Sequence, residues 1–131
     1  MKTSFVLLSF LLFFSVGLLA QQDNPVSTDS IAFEKVVHDY GTIVQGADGH
    51  CEFTFTNKGK RPLIINEVRA SCGCTVPDWT REPILPGKTG VIKAKYNTAI
   101  PGNFNKSITV RSNAANGVVI LRIKGQVVVP E

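Results

Sequence analysis

Three cysteines, two histidines and a single tryptophan are the residues of this 131-residue chain on which chemistry could rest. Two of the cysteines stand one glycine apart in the run Ser71-Cys72-Gly73-Cys74-Thr75-Val76, and the third is Cys51. In an extended strand the Cα atoms of Cys72 and Cys74 would lie about 6.6 Å apart, with both Cβ atoms on one side. A disulfide asks for Cβ atoms about 3.5 to 4.5 Å apart, so a straight strand cannot close that bond. Gly73 can adopt a positive φ and bend the chain, which makes a strained, reducible Cys72–Cys74 bridge one expectation. A bridge from Cys51 to Cys72 or Cys74 is the other. The odd count leaves at least one thiol free, metal-bound or paired outside the chain, and excludes a dense disulfide framework.

Two thiolates on one face could also hold a soft metal, and Cu(I), which accepts few ligands and prefers sulfur, suits Cys72 and Cys74. Zinc suits them less: a structural site needs four ligands, and beyond Cys51 only His38 and His50 are available, in distant segments. A lone C-x-C is a weak metal motif, so no cofactor is expected and Cu(I) is the one metal the chain could take. His38-Asp39 resembles half of a catalytic dyad, which a thiol would complete as a cysteine hydrolase. Neighbouring strand residues point to opposite faces, however, and Asp39 before Tyr40-Gly41 is ordinary turn chemistry. No set of nucleophile, base and oxyanion donors converges, so the expectation is a binding or structural module and no enzyme, with a thiol-dependent role through Cys72 and Cys74, Cu(I) binding or disulfide exchange, as the alternative. His50 reads as a surface residue and Trp79 as an apolar anchor for a long loop.

The elements that carry these residues follow a leader. Lys2 precedes an apolar run, Phe5 to Ala20, that is too short for the roughly 20 residues of a membrane span and has no basic stop after it. Residues 1–20 therefore read as a secretory signal peptide, residues 21–30 as a polar, disordered lead-in, and residues 31–129 as one domain. Ile31 to Val37 reads as a first strand and His38-Asp39-Tyr40-Gly41 as a tight corner. His50 to Asn57 shows the cleanest alternation, with Cys51, Phe53 and Phe55 on one face. Asn57 to Pro62 reads as a charged, hairpin-like connection. Beyond it the apolar parity slips between Leu63, Ile65 and Val68, Ala70, Cys72, Cys74, which predicts a bulge at Asn66-Glu67 and inward-facing cysteines. Pro77, Pro83 and Pro86-Gly87 mark a crossing loop packed down by Trp79, Ile84 and Leu85. Val91 to Asn97, Phe104 to Ser112 and Val118 to Val129 complete the strands, the last two joined by a hairpin loop at Asn113 to Gly117. Lys93, Lys95, Arg122 and Lys124 read as a solvated sheet face. About seven short strands and no helical period predict an all-β, immunoglobulin-like antiparallel sandwich.

The formal charge is +4, and removal of a leader whose one charged residue is Lys2 leaves +3. Lys and Arg are dispersed rather than clustered, which argues against a nucleic-acid partner. An exported, periplasmic or secreted chain with no transmembrane anchor after cleavage has another envelope protein or surface as its expected partner, either through a general binding face or by strand pairing at a sheet edge.

The motifs taken together resemble a known bacterial family. His38-Asp39-Tyr40-Gly41, Phe53-x-Phe55-x-Asn57, Pro62-Leu63, Val68, Ser71-Cys72-Gly73-Cys74-Thr75, Pro83-Ile84-x-Pro86-Gly87, Gly102-x-Phe104 and Ser112-Asn113 match, in order, the domain of unknown function 1573, over about Val36 to Val127. The resemblance implies export, occurrence in Bacteroidetes, and a fold similar to the immunoglobulin-like domains of the major sperm protein and cilia-associated type. It makes His38, Asp39, Gly41, Ser71, Cys72, Gly73, Cys74, Thr75, Pro86 and Gly87 signature positions and supplies no reaction. Cys51 is not a signature position, and Tyr40 stands where Phe is commoner.

Overall fold

The computed structural model describes residues 30–131; the leader and nearly all of the lead-in lie outside the described residues. Eight strands follow in chain order: β1 (Ile31–Phe33), β2 (Val37–Val44), β3 (His50–Asn57), β4 (Ile65–Ala70), β5 (Thr75–Trp79), β6 (Thr89–Tyr96), β7 (Gly102–Ser112) and β8 (Val118–Val128). They form two four-stranded sheets, ordered β1-β3-β6-β5 and β2-β8-β7-β4. Every pairing is antiparallel except β2 with β8, which is parallel. This is the strand division of an immunoglobulin-like sandwich.

The core lies between the sheets and is built by alternation. Phe53 and Phe55 of β3, Ile92 of β6, Ile108 of β7, and Leu121 and Ile123 of β8 are fully buried, each contributing about 1.5 to 3 kcal/mol over an exposed position. The sheets' outer faces carry the solvated residues, but Lys93 and Lys95 lie on one sheet and Arg122 and Lys124 on the other, so they are not one face. The β4 bulge falls where the parity slip predicts it, between Ile65 and Glu67, and Ile65 and Val68 are both buried.

Four features differ from the sequence reading. His38-Asp39-Tyr40-Gly41 is no corner: it lies inside β2, where the register against β8 shifts between Asp39 and Thr42 and Gly41 takes a φ of 65°. The turn-forming residues serve a bulge instead. The chain from Thr75 to Trp79 is an eighth strand, β5, and not part of a loop. Pro77 fits there because β5 is a sheet edge. The Asn57 to Pro62 connection crosses from one sheet to the other and makes no hairpin. Leu85 is 57 % exposed, so Ile84, buried and bonded both ways to Leu63 at 2.8 Å, holds that segment alone with Trp79.

Candidate functional site

The Cys-Gly-Cys run is the turn by which the chain leaves one sheet for the other. Ser71 ends β4: its N–H donates to Ser107 O at 2.9 Å, and its own hydroxyl accepts the Ser107 N–H at 3.1 Å. Cys74 O accepts the Asn97 N–H at 2.8 Å and so starts the pairing of β5 with β6. Between these anchors Cys72 and Cys74 form a disulfide with Cα atoms 5.2 Å apart. The cysteines stand outside any strand, which is how they come within bonding reach. Gly73 does so without a positive φ, the four positive-φ glycines among the described residues being Gly41, Gly46, Gly87 and Gly102. The inward strand positions expected for both cysteines are thus replaced by a half-exposed turn.

Cys51 keeps a free, buried thiol. It lies on β3, separated by β6 from β5, roughly 10 Å at ordinary strand spacing, beyond a disulfide's Cα reach. Burial pushes its thiol up, opposed by contact with the Tyr40 phenol. Neither sulfur of the bridge offers a thiolate, so a Cu(I) site at Cys72 and Cys74 requires the reduced form. Among the described residues, no group of three or more His, Cys, Asp or Glu is placed to hold a metal.

His38 and Asp39 point to opposite faces of β2. His38 turns inward, 2.8 Å from Lys35 Nζ and edge-on to Tyr40; burial, then the Lys35 charge, lowers its pKa. Asp39 is exposed and accepts the Gly41 N–H at 2.8 Å. They form no dyad. His50 is exposed beside Asp48, and Trp79 packs on the core with the Arg81 guanidinium over its ring.

Packing nodes stand at the two ends of the sandwich. Tyr40 and Tyr96 both lie against Phe104, with centroids 5.6 and 3.8 Å away, and Gly125 makes room for them: a Cβ there would sit 3.0 Å from Phe104, Tyr40 and the Gly41 carbonyl. At the far end Pro86-Gly87 occupies a turn closed by Lys88 N–H to Leu85 O at 2.9 Å, with Gly87 at φ 78° as a type II turn requires. Gly87 N–H donates to Asn57 O at 2.8 Å. Asn57, whose place at the start of a charged connection gives no local sign of this role, donates from Nδ2 to Arg61 O and Ile84 O and accepts the Gly59 N–H.

Backbone accounting distinguishes the sheet edges. On β1 the outward N–H and C=O of Ile31 are both taken by the Asn116 amide at 2.9 Å. On β5, Cys74 and Thr80 bond to β6, so Thr75, Pro77 and Trp79 face outward by alternation. Thr75 N–H reaches Cys72 O at 3.4 Å, Pro77 has no N–H, and Trp79 N–H donates to the Asp78 carboxylate at 2.9 Å. That edge has no donor to offer. β2 is broken by its bulge. On β4, Glu67, Arg69 and Ser71 face β7 in one register, which turns the N–H and C=O groups of Val68 and Ala70 outward with no partner among the described residues. Glu67 ties to Arg69 and Arg111 on the outer face at 2.9 and 3.6 Å.

A search of curated proteins finds no match. Among solved structures, a protein of unknown function from Porphyromonas gingivalis W83 superposes with a TM-score of 0.66 at 15 % identity, over 76 % of this chain and 48 % of that one. The secreted serine protease VesC from Vibrio cholerae gives 0.57 at 13 % identity, over 75 % of this chain and 23 % of that one. The ASH/PapD-like domain 7 of human CEP192 gives 0.59 at 12 % identity, over 80 % and 89 %. This chain spans about half of the Porphyromonas protein and about a quarter of the protease, and at these identities the likeness is one of fold. The sequence itself matches the model of one family, described as protein of unknown function (DUF1573), over residues 31–127, and the chain belongs to that family.

Proposed function

We propose that this protein is an exported, non-catalytic binding module of the bacterial cell envelope that holds an extended segment of a partner protein along the edge of β4. The observation that carries the reading is the state of the edges: β5 has its outward donors consumed and β1 has those of Ile31 taken, whereas on β4 the outward groups of Val68 and Ala70 carry no hydrogen bond, with Ala70 the more exposed of the two. Strand addition at a free edge gives affinity through main-chain hydrogen bonds, and charged residues with a bulge, both found on β4, keep such an edge from indiscriminate pairing. The apolar leader supports export, and the immunoglobulin-like, PapD-like sandwich supports binding rather than turnover.

The test is cross-linking capture from a periplasmic fraction by the wild-type chain and by Ala70→Pro. That substitution removes an outward N–H and no bond to β7, and an edge strand tolerates proline. A specific partner lost by Ala70→Pro at unchanged stability supports the reading. A partner retained by the variant, or a chain recovered only from the cytoplasm, overturns it.

A further inference from the structure

Resting on the β4-edge reading above, we infer that the Cys72–Cys74 bridge is a thiol–disulfide exchange site, through which the chain bonds a cysteine of the segment lying along β4, with Cys72 as the sulfur that takes the partner. The free edge runs directly into the bridge: Ala70 turns its backbone groups outward, and Cys72 follows two residues later. A strand added at β4 lies about 4.8 Å away, so its side chains pass the turn.

The bridge is open on that turn. A Cβ built on Gly73 would meet nothing within 4 Å, so a partner can approach over the glycine. Val76, 65 % exposed, follows two residues after Cys74 and offers an apolar surface. The two sulfurs are unequal. Cys74 packs against the core and its carbonyl is tied to Asn97. Cys72 Sγ lies 3.8 Å from the hydroxyl of buried Thr75. A bridged sulfur carries no proton, so the Thr75 O–H is the donor, and the same donor favours the Cys72 thiolate after reduction. As a thiolate, Cys72 is the leaving group when the mixed disulfide resolves and the attacking group in the reverse direction.

The chemistry balances with a protein thiol as reductant. A partner thiolate attacks Cys72 Sγ; the Cys72–Cys74 bond breaks with its electron pair on Cys74 Sγ, which takes a proton. The chain is then joined to the partner by a mixed disulfide. If the partner has a second thiolate, it attacks its own sulfur in that bond and releases the Cys72 thiolate. Two electrons have then passed from the partner's dithiol, now a disulfide, to this chain. A partner with one thiol is released again when the Cys74 thiolate attacks Cys72 Sγ and re-forms the bridge, so its mixed disulfide stands in equilibrium with the closed bridge.

The experiment uses the oxidised mature chain and glutathione as probe. Reduced glutathione is added in increasing amounts at neutral pH, reactions are quenched by alkylation, and peptide mapping locates the glutathione adduct while circular dichroism follows the fold. The expected result is a bridge that opens with the sheet signal intact and a transient adduct on Cys72. An adduct on Cys74, or opening only together with unfolding, overturns the inference. In parallel, Cys74→Ser is expected to take up glutathione from its disulfide at Cys72 at least about tenfold faster than Cys72→Ser does at Cys74; equal rates count against it. The mapping of the unsubstituted chain keeps the test decisive if a variant fails to fold. The edge reading is separated from this one by the double variant Cys72→Ser/Cys74→Ser, in which exchange cannot occur: noncovalent partner capture retained there stands with or without exchange.

Discussion

Asn57 shows how much of this molecule one amide organises. It is 2 % exposed, and its side chain satisfies the Gly59 N–H and the carbonyls of Arg61 and Ile84, which fastens the crossing between the sheets to the segment before β6. Asn57→Ala leaves those backbone groups without their partner, and an unsatisfied buried group costs about 1 to 3 kcal/mol. The expected loss is about 3 kcal/mol, read as a lower urea midpoint at unchanged slope. The titrating groups set a pH window. Burial raises the pKa of Tyr40 and Cys51 and, in the opposite chemical sense, lowers that of His38. The unfolded chain loses the thiol and phenol protons first, so stability is full below about pH 8.5 and falls as pH rises through the folded values. The His38 contribution is present above about pH 6.5 and is lost as pH falls below it. Urea midpoints across pH should show a plateau between these limits, with a shallower alkaline limb in Tyr40→Phe. An alkaline limb that Tyr40→Phe leaves unchanged would show the phenol to be uninvolved.

At the level of the strand, the edges decide what the sandwich can bind. Asn116, at the tip of the β7–β8 hairpin, acts as a one-residue strand against β1. Asn116→Ala removes two hydrogen bonds, about 1 to 2 kcal/mol, and is expected to speed hydrogen exchange at Ile31 and neighbouring β1 amides while leaving β6 to β8 protected. Uniform acceleration through both sheets would mean that β1 is part of the global cooperative unit. β3 and the β4 bulge were legible because a buried face enforces a two-residue period, and a parity slip has few other meanings. β2 and β5 were not. Asp39 and Gly41 are turn formers in most contexts, and only the register against β8 shows them making a bulge. Pro77 reads as a break until β5 is known to be an edge, where a missing outward donor is no loss.

For the whole molecule, the topology sets how it folds and how little the bridge contributes to holding it. β1 through β8 pair mostly with strands distant in sequence, β2 with β8 most of all. Such non-local sandwiches fold in milliseconds to seconds, and refolding followed by Trp79, the one tryptophan, should fall in that range. Refolding in microseconds would contradict the topology. A bridge enclosing only Gly73 closes a three-residue loop and restrains the unfolded chain by about 1.6 kcal/mol, against about 3 kcal/mol for a 15-residue loop. The fold should therefore survive its reduction, with a correspondingly small fall in stability.

The sequence by itself determined the fold class, most strands and the family, because alternation, turn chemistry and motif order are local properties that a single chain displays. It left the cysteine pairing open, since whether Cys72 meets Cys74 or Cys51 depends on which strands lie between them and where β4 stops. Tertiary structure decided that, and it decided the candidate site. A free edge is defined by the partners its backbone lacks, and Asn116 on β1 and Asp78 and Cys72 on β5 take outward groups through contacts that no local pattern records.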